Sequence, residues 1–549
     1  MLLLLSLLFC GCSREASEYK AEADREVYGI IDKQWNDDFG PKPDYKLSEQ
    51  QTEPDEILSE AVEIPSGVMT LTDAVSIAVK TNRQYQTQKE DLYIKALDQT
   101  LIEHSYNPNP FGTAGAGYSK TDSGSFVSTD ATYGFSQLLE TGTQISTSVG
   151  LAWVDVLSGD FRSGLKSLFS AAVKKPLLRG SSRKIVLENL TQAQRDTVYQ
   201  IRTFSRFRKE LVVSIINDYY RLLGQLERTN NAMDNFRTLN DLHAKIEKRV
   251  LSGRLETHEL EEIRQDRLWA RDTYIKEKRL YQQMLDDFKI ALSISPSEDI
   301  QPDRLEFNAV KNNGLPGPSF SDEQAIEAAM MCRLDLMNDS DAIADARRKI
   351  AVAKDRLRAE LNLTAGAANK ADVSALSTES SSVDVGLELD MPLDRKAERN
   401  MYRKSLIALQ RQRRNLAQSR DNISHAIRQA YRNLTNASDL YRIQQESLSV
   451  AQQRYKNTKL LIQYDRSDIR DILDAQKDLF KARNEAADSL VNHTVETLNF
   501  YLDTGILDIK PDGMWEKRPL PARAARSVKK RKVIDPEATI SNWVRKRKK

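Results

Sequence analysis

Five histidines and three cysteines are the side chains of this 549-residue chain best suited to metal or nucleophilic chemistry, and their positions argue against both. His104, His243, His258, His425 and His493 are scattered, no Cys or His cluster has metal-ligand spacing, and no glycine-rich loop follows a strand pattern to hold a phosphate. An enzyme is not expected, and neither cofactor nor metal is implied. Two other groups of residues have a definable chemistry. One is Cys12, a thiol at the end of an apolar leader. The other is the charged stretch from Arg466 through Ser467, Asp468, Arg470, Asp471 and Asp474, where Asp471 and Asp474 stand three residues apart, on one face of a helical turn. Carboxylates so placed attract cations or arginines, although a solvated helix face accounts for the same pattern.

The leader MLLLLSLLFCGCS is a short apolar run that ends at a small residue followed by cysteine. It reads as a secretory signal over 1–12. It also resembles a bacterial lipoprotein signal, with Gly11 before the cleavage point and Cys12 as the lipidated residue; an ordinary apolar N-terminus, or an export signal without lipid, is the alternative. Cys332 would then be the one cysteine of the mature chain with a free thiol, so no intramolecular disulfide framework is expected. Residues 13–68 are polar, with Pro41, Pro43, Pro54 and Pro65, and read as an extended tether. No later stretch approaches the roughly 18 apolar residues of a membrane-spanning helix, so any span must be a β-barrel.

The elements that must position the charged stretch are long. From 395 to 502 a helical pattern runs out, turns near Tyr464 and returns; apolar residues at Ile423, Ile427, Tyr431, Leu434, Ala437, Tyr441, Leu448 and Ala451 mark one face. A limb of roughly 65 residues at about 1.5 Å each is about 100 Å long. Such limbs, free of proline, bury their stripes against other helices, which implies a coiled-coil-like rod or barrel. Charged residues at 29%, aromatics at 7% and a mean hydropathy of -0.55 suit solvated helices with narrow seams. The net charge of +2 points to no partner.

The pattern occurs twice. Helices open at Leu71 and Asp322, and Thr113-Ala114-Gly115-Ala116 recurs as Thr364-Ala365-Gly366-Ala367 at the same distance from each start. Lys175-Pro176-Leu177-Leu178-Arg179-Gly180 corresponds to Met391-Pro392-Leu393-Asp394-Arg395-Lys396, each before a long helix; the first of these turns at Leu251-Ser252-Gly253 and returns to about Ile294. Each half reads helix, two strands, long helix, turn, helix, an internal duplication. The strands alternate: Val383, Val385, Leu387 and Leu389 with polar partners or glycine between them, and Ile145, Val149, Leu151 and Trp153 likewise. With the helices committed to one another, the apolar face of such strands is expected to meet lipid in a barrel shared between chains.

With Pro-Leu-Leu-Arg-Gly at 176–180, the duplicated element order and Asp471-Ile-Leu-Asp474-Ala-Gln in a helical turn, the chain resembles the TolC family of bacterial outer-membrane efflux and secretion channels over about 69–507. The resemblance implies a mainly α protein with a membrane β-barrel: a homotrimer whose protomers each give four strands to one 12-stranded barrel and long helices to a periplasmic α-barrel. It implies a periplasmic adaptor (membrane fusion) protein and an inner-membrane pump as partners, contact with outer-membrane lipid, and a lipid anchor consistent with Cys12. It also implies acidic residues at the periplasmic entrance, matched here by Asp471, Asp474 and, by spacing from Gly253, Glu259, with Arg466 and Arg470 as candidate ion-pair partners. Three copies of each carboxylate around one axis repel unless paired with cations or arginine, so they would tune selectivity and gating.

The expected organisation is therefore a first repeat over 69–319, with strands within 111–178 and a helical hairpin over 181–294. A second repeat follows over 320–508, with strands within 362–392 and a hairpin over 395–505. A basic tail over 509–549 carries Lys529-Lys-Arg-Lys532 and Arg545-Lys-Arg-Lys-Lys549. It reads as a disordered extension, with peptidoglycan or anionic head groups as the sharper alternative; in an exported chain nucleic acid is not an expected partner. The expected function is a passive duct of a tripartite efflux or type I secretion system across periplasm and outer membrane. The competing class is a non-channel periplasmic α-hairpin scaffold or adaptor.

Overall fold

The computed structural model describes residues 14–47, 67–121, 124–159, 164–253, 255–313, 320–372, 377–391, 393–464, 466–510, 515–519 and 521. Cys12 and its leader, and both basic clusters of the tail, lie outside the described residues.

In chain order the helices are α1 (Ala16–Gln34), α2 (Leu71–Thr81), α3 (Arg83–His104), α4 (Arg183–Val186), α5 (Glu188–Leu251), α6 (Thr257–Ala291), α7 (Arg304–Asn313), α8 (Asp322–Cys332), α9 (Leu334–Asp355), α10 (Lys396–Gln463) and α11 (Ile469–Asp503). The strands are β1 (Val68–Met69), β2 (Asn109–Thr121), β3 (Gly124–Leu138), β4 (Gln144–Gly159), β5 (Gly164–Pro176), β6 (Gln301–Pro302), β7 (Glu360–Asp372), β8 (Ser377–Asp390), β9 (Leu507–Ile509) and β10 (Trp515–Lys517). The helices that open the two halves, α2 and α8, both have 11 residues. Each starts on a capping box: Thr70 with Asp73, and Ser321 with Gln324, where side chain and backbone satisfy each other's end groups. Helices of 22 residues, α3 and α9, follow them.

Contacts divide the chain into two units. The first takes residues up to Trp35, Glu90–Thr203 and Met337–Gln418. It holds an antiparallel six-stranded sheet in the order β2-β3-β4-β5-β7-β8. Here the sequence reading is corrected: two strands per half, hence four per chain, were expected, but residues 109–176 fold into two hairpins, not one. The reversal that links the two hairpins is made at 139–143, where Gly142 takes φ 79° and its N–H bonds the Leu139 carbonyl at 2.8 Å. The residues read as an extended tether are likewise corrected, because they contain α1. Its Ala, Glu, Lys and Arg favour helix without an apolar stripe. Val27 and Ile31 are its buried side chains, and the Tyr93 hydroxyl ties it down by donating to Asp24 Oδ1 at 2.6 Å. The start of α5 and α9 are joined by charges: Arg202 donates to Asp341 (2.7 Å), Arg348 to Glu188 (3.0 Å) and Asp345 (2.8 Å), and the Tyr199 hydroxyl to Asp345 (2.6 Å).

The second unit takes Asn36–Lys89, Phe204–Leu336 and the chain from Ser419. The continuations of α5 and α10 pack here with α6 and α11. Fully buried Ile215, Tyr219 and Leu222 from α5 form its core with Ile427 and Leu434 from α10 and Leu498 and Phe500 from α11. The Tyr219 hydroxyl donates to the Met69 carbonyl (3.1 Å) and accepts from the Asp303 N–H (3.2 Å), bracing the parallel β1–β6 pair. Amide pairs join α5 to α11: Asn217 donates to Asn499 (2.9 Å), Asn231 to Asn484 (3.0 Å), and Gln476 to Asn235 (2.8 Å). The expected tail boundary at 509 falls inside an element, since β9 pairs antiparallel with β10 and Asp508 accepts from Lys209 (2.9 Å) and Arg518 (2.8 Å).

Candidate functional site

Strands of 13 to 16 residues exceed the roughly 9–11 needed to cross a bilayer when tilted. Directly paired residues of an antiparallel sheet share a face, so the register sorts the side chains. One row runs Pro110, Phe135, Thr147, Ala171, Ala367, Val383 across all six strands. The rows beside it carry Tyr133, Val149 and Phe169, and Ile145, Val173, Ala365 and Val385. On β8 this face is bare: Val383 is 78% exposed, Val385 72% and Leu387 68%. A water-soluble sheet does not leave such a face uncovered.

The opposite face carries Thr113, Ser128, Asp130, Ser148, Ser170, Thr364, Asp384 and Lys174 paired to Glu388 at 2.8 Å. Glycine makes room there. A Cβ on Gly115 would lie 2.8 Å from Asp130 Oδ1, and one on Gly366 2.7 Å from Asp384 Oδ1, so the glycine of each Thr-Ala-Gly-Ala repeat admits a carboxylate from the neighbouring strand. Gly134 admits the Phe111 ring in the same way.

At the far ends of the hairpins, α6 and α11 begin side by side in the second unit. Ile263, Ile469 and Leu473 are buried in one cluster with Leu239, Ile246 and Ala270. The sequence-selected residues are arranged around it. Arg470 donates to Glu262 at 2.7 Å, joining the two tips, instead of pairing with Asp471 or Asp474. The Asp471 carboxylate accepts from Ser467 Oγ at 2.7 Å and from the Asp468 N–H at 3.3 Å, completing a capping box that starts α11. Asp474 is exposed one turn on, and Arg466 is exposed in the connecting turn, its N–H closing the end of α10 on the Leu461 carbonyl at 3.0 Å. Glu259 stands in the first turn of α6, its Oε2 enclosed and without a hydrogen-bond partner among the described residues.

Sequence reasoning missed Glu262 and Asp266. Burial pushes the Asp266 carboxyl up, Lys477 opposes the rise, and Asp474 and Glu262 add to it. The signal available was Glu259, Glu262 and Asp266 at steps of three and four on α6. The histidines remain apart; His493 stacks on Tyr441 with ring centroids 5.8 Å apart, and burial lowers its pKa. Among the described residues no group of His, Cys, Asp and Glu could hold a metal, and no helix is long and apolar enough to cross a membrane.

A family model described as outer membrane efflux protein matches residues 325–496. No curated protein matches the chain. Among solved structures, CusC superposes with a TM-score of 0.58 at 16% identity, covering 79% of this chain and 92% of its own. The Campylobacter jejuni CmeC outer membrane channel gives 0.57 at 13% identity, covering 89% and 97%, and the Neisseria gonorrhoeae MtrE outer membrane channel 0.57 at 12%, covering 79% and 88%. At such identities the likeness is one of fold. Residues 325–496 thus match the model of the outer membrane efflux protein family, and the chain as a whole shares the fold of these outer-membrane channels.

Proposed function

We propose that this chain is one protomer of a homotrimeric outer-membrane duct that passively exports substrates handed to it by a periplasmic adaptor and an inner-membrane pump. The observation that carries the reading is the two-faced sheet: one mainly apolar face, including Val383, Val385 and Leu387, and one mainly polar face lined by Asp130 and Asp384. The first suits lipid and the second a water-filled lumen. The charged helix tips supply the entrance, where Glu259, Asp471 and Asp474, with Arg466 and Arg470 among them, would set the field met by passing ions. Cys12 carries the lipid anchor in this reading, and the protein performs no catalysis.

Outer-membrane fractionation and planar-bilayer recording test the proposal together. The duct predicts protein that resists salt and carbonate extraction, and conducting pores from detergent-purified trimer. The competing reading, a non-channel periplasmic scaffold or adaptor, predicts extraction by salt or carbonate alone and no pores. Cys12→Ala should abolish acyl labelling and leave trimers intact, because the sheet supplies its own membrane affinity; labelling that persists would remove Cys12 from this role.

A further inference from the structure

We infer that the barrel of this protein closes with eighteen strands, six from each of three chains, and that residues 124–159 are an added hairpin that widens it. The inference rests on the trimeric duct proposed above. The strand count rests on the sheet itself.

Both outer edges of the sheet, β2 with 13 residues and β8 with 14, lack a strand neighbour among the described residues. In hydrocarbon an open edge of that length leaves its N–H and C=O groups without partners, so another strand must cover it. Successive strands alternate in direction, and with six of them β8 runs opposite to β2. The β8 edge of one chain therefore accepts the β2 edge of the next as an antiparallel neighbour, and the ring closes without a parallel pair. Six strands alone are too few, since about eight are needed for an interior that side chains just fill.

The repeat locates the addition. Thr113–Ala116 lies on β2 and Thr364–Ala367 on β7, while Lys175-Pro176 ends β5 as Met391-Pro392 follows β8. This leaves β3 and β4 without counterparts in the second half. They are not a cover or a plug, because Tyr133, Phe135, Val149 and Leu151 continue the apolar face in register with β5, β7 and β8. With strands about 4.8 Å apart and tilted about 40°, eighteen enclose a barrel about 36 Å across between backbones, against about 24 Å for twelve.

The test uses full-length trimer in lipid nanodiscs. In a Cys332→Ser background, a fluorophore on Tyr133→Cys, Val149→Cys or Val385→Cys should be quenched equally by spin-labelled lipid, and end-on electron-microscopy averages should show a ring about 36 Å wide. Deleting 124–159, which joins β2 to the antiparallel β5, should shrink the ring by about one third. Trimers in which the β8 site is quenched but the β3 and β4 sites are not, or a ring of about 24 Å in the intact protein, would overturn the inference and leave the duct standing. Absence of both trimer and quenching at the β8 site would sink the duct and this inference with it.

Discussion

Ile263 is the residue on which the joint between the hairpin tips most depends. It is fully buried where α6 meets Ile469 and Leu473 of α11, in a cluster closed by Leu239 and Ile246 of α5. Ile263→Ala removes three carbons, worth about 2.4 kcal/mol of transfer free energy at about 0.8 kcal/mol each. The void left between helices that cannot collapse along their length adds to this, for a total of about 3–4 kcal/mol. Tips are ends, so the loss should appear as local opening and not as global unfolding. Amides in the first turns of α6 and α11 should then exchange hydrogen about 100-fold faster or more, at about 1.4 kcal/mol per tenfold, while the α5 core near Tyr219 exchanges as before. In bilayers the same variant should conduct more. Leu251→Ala, at a side chain 83% exposed, is the control and should change exchange at neither place. Unchanged tip exchange in Ile263→Ala, or equal acceleration along the whole of α5, would refute the idea that this cluster clamps the tips.

Four further outcomes follow from the geometry. Asp474→Asn should reduce cation preference in single-channel recordings without loss of helix, whereas Asp471→Ala should cost about 1 kcal/mol at the start of α11 by breaking its capping box, seen as faster exchange there. Because burial raises Asp266 above its unfolded value, its ionised form costs stability: the tip should be least stable above the raised pKa and gain stability as pH falls through it, and Asp266→Asn should flatten that dependence of tip exchange on pH. Gly134→Leu should deplete heat-resistant trimer from the outer membrane while Gly29→Ala does not, since a Cβ at Gly134 would lie 2.4 Å from the Thr147 carbonyl and 2.7 Å from the Phe111 ring, and one at Gly29 meets nothing within 4 Å.

Much of the architecture is legible because its signals are local. The long limbs show 3.6-residue periodicity without proline, and α5 and α10 fall close to the expected bounds. The small strands are harder. In β3 and β5 the alternation is diluted by serine, alanine and glycine, and the reversal between β3 and β4 depends on one glycine in an otherwise ordinary Thr-Gly-Thr. Helix α1 escapes a search for apolar stripes because propensity makes it, with burial confined to Val27 and Ile31. At the tips, spacing picks out the carboxylates but cannot pair them. Arg470 finds Glu262 across 208 residues of chain, while Asp471 turns back on its own helix start.

The amide pairs between α5 and α11 restrict how these two helices can move against one another. Asn217, Asn231 and Asn235 meet Asn499, Asn484 and Gln476, so steps of 14 and 4 on one helix face steps of 15 and 8 on the other. Sliding one helix by a turn would set Asn235 against Asn484 and leave the buried amides of Asn217 and Gln476 without their partners. Being neutral, these amides hold their grip across pH and salt, unlike the ion pairs at the tip. A lengthwise ratchet of α5 against α11 would have to break all three pairs at once, so the register of the two helices is fixed by amides and not by the apolar stripe alone.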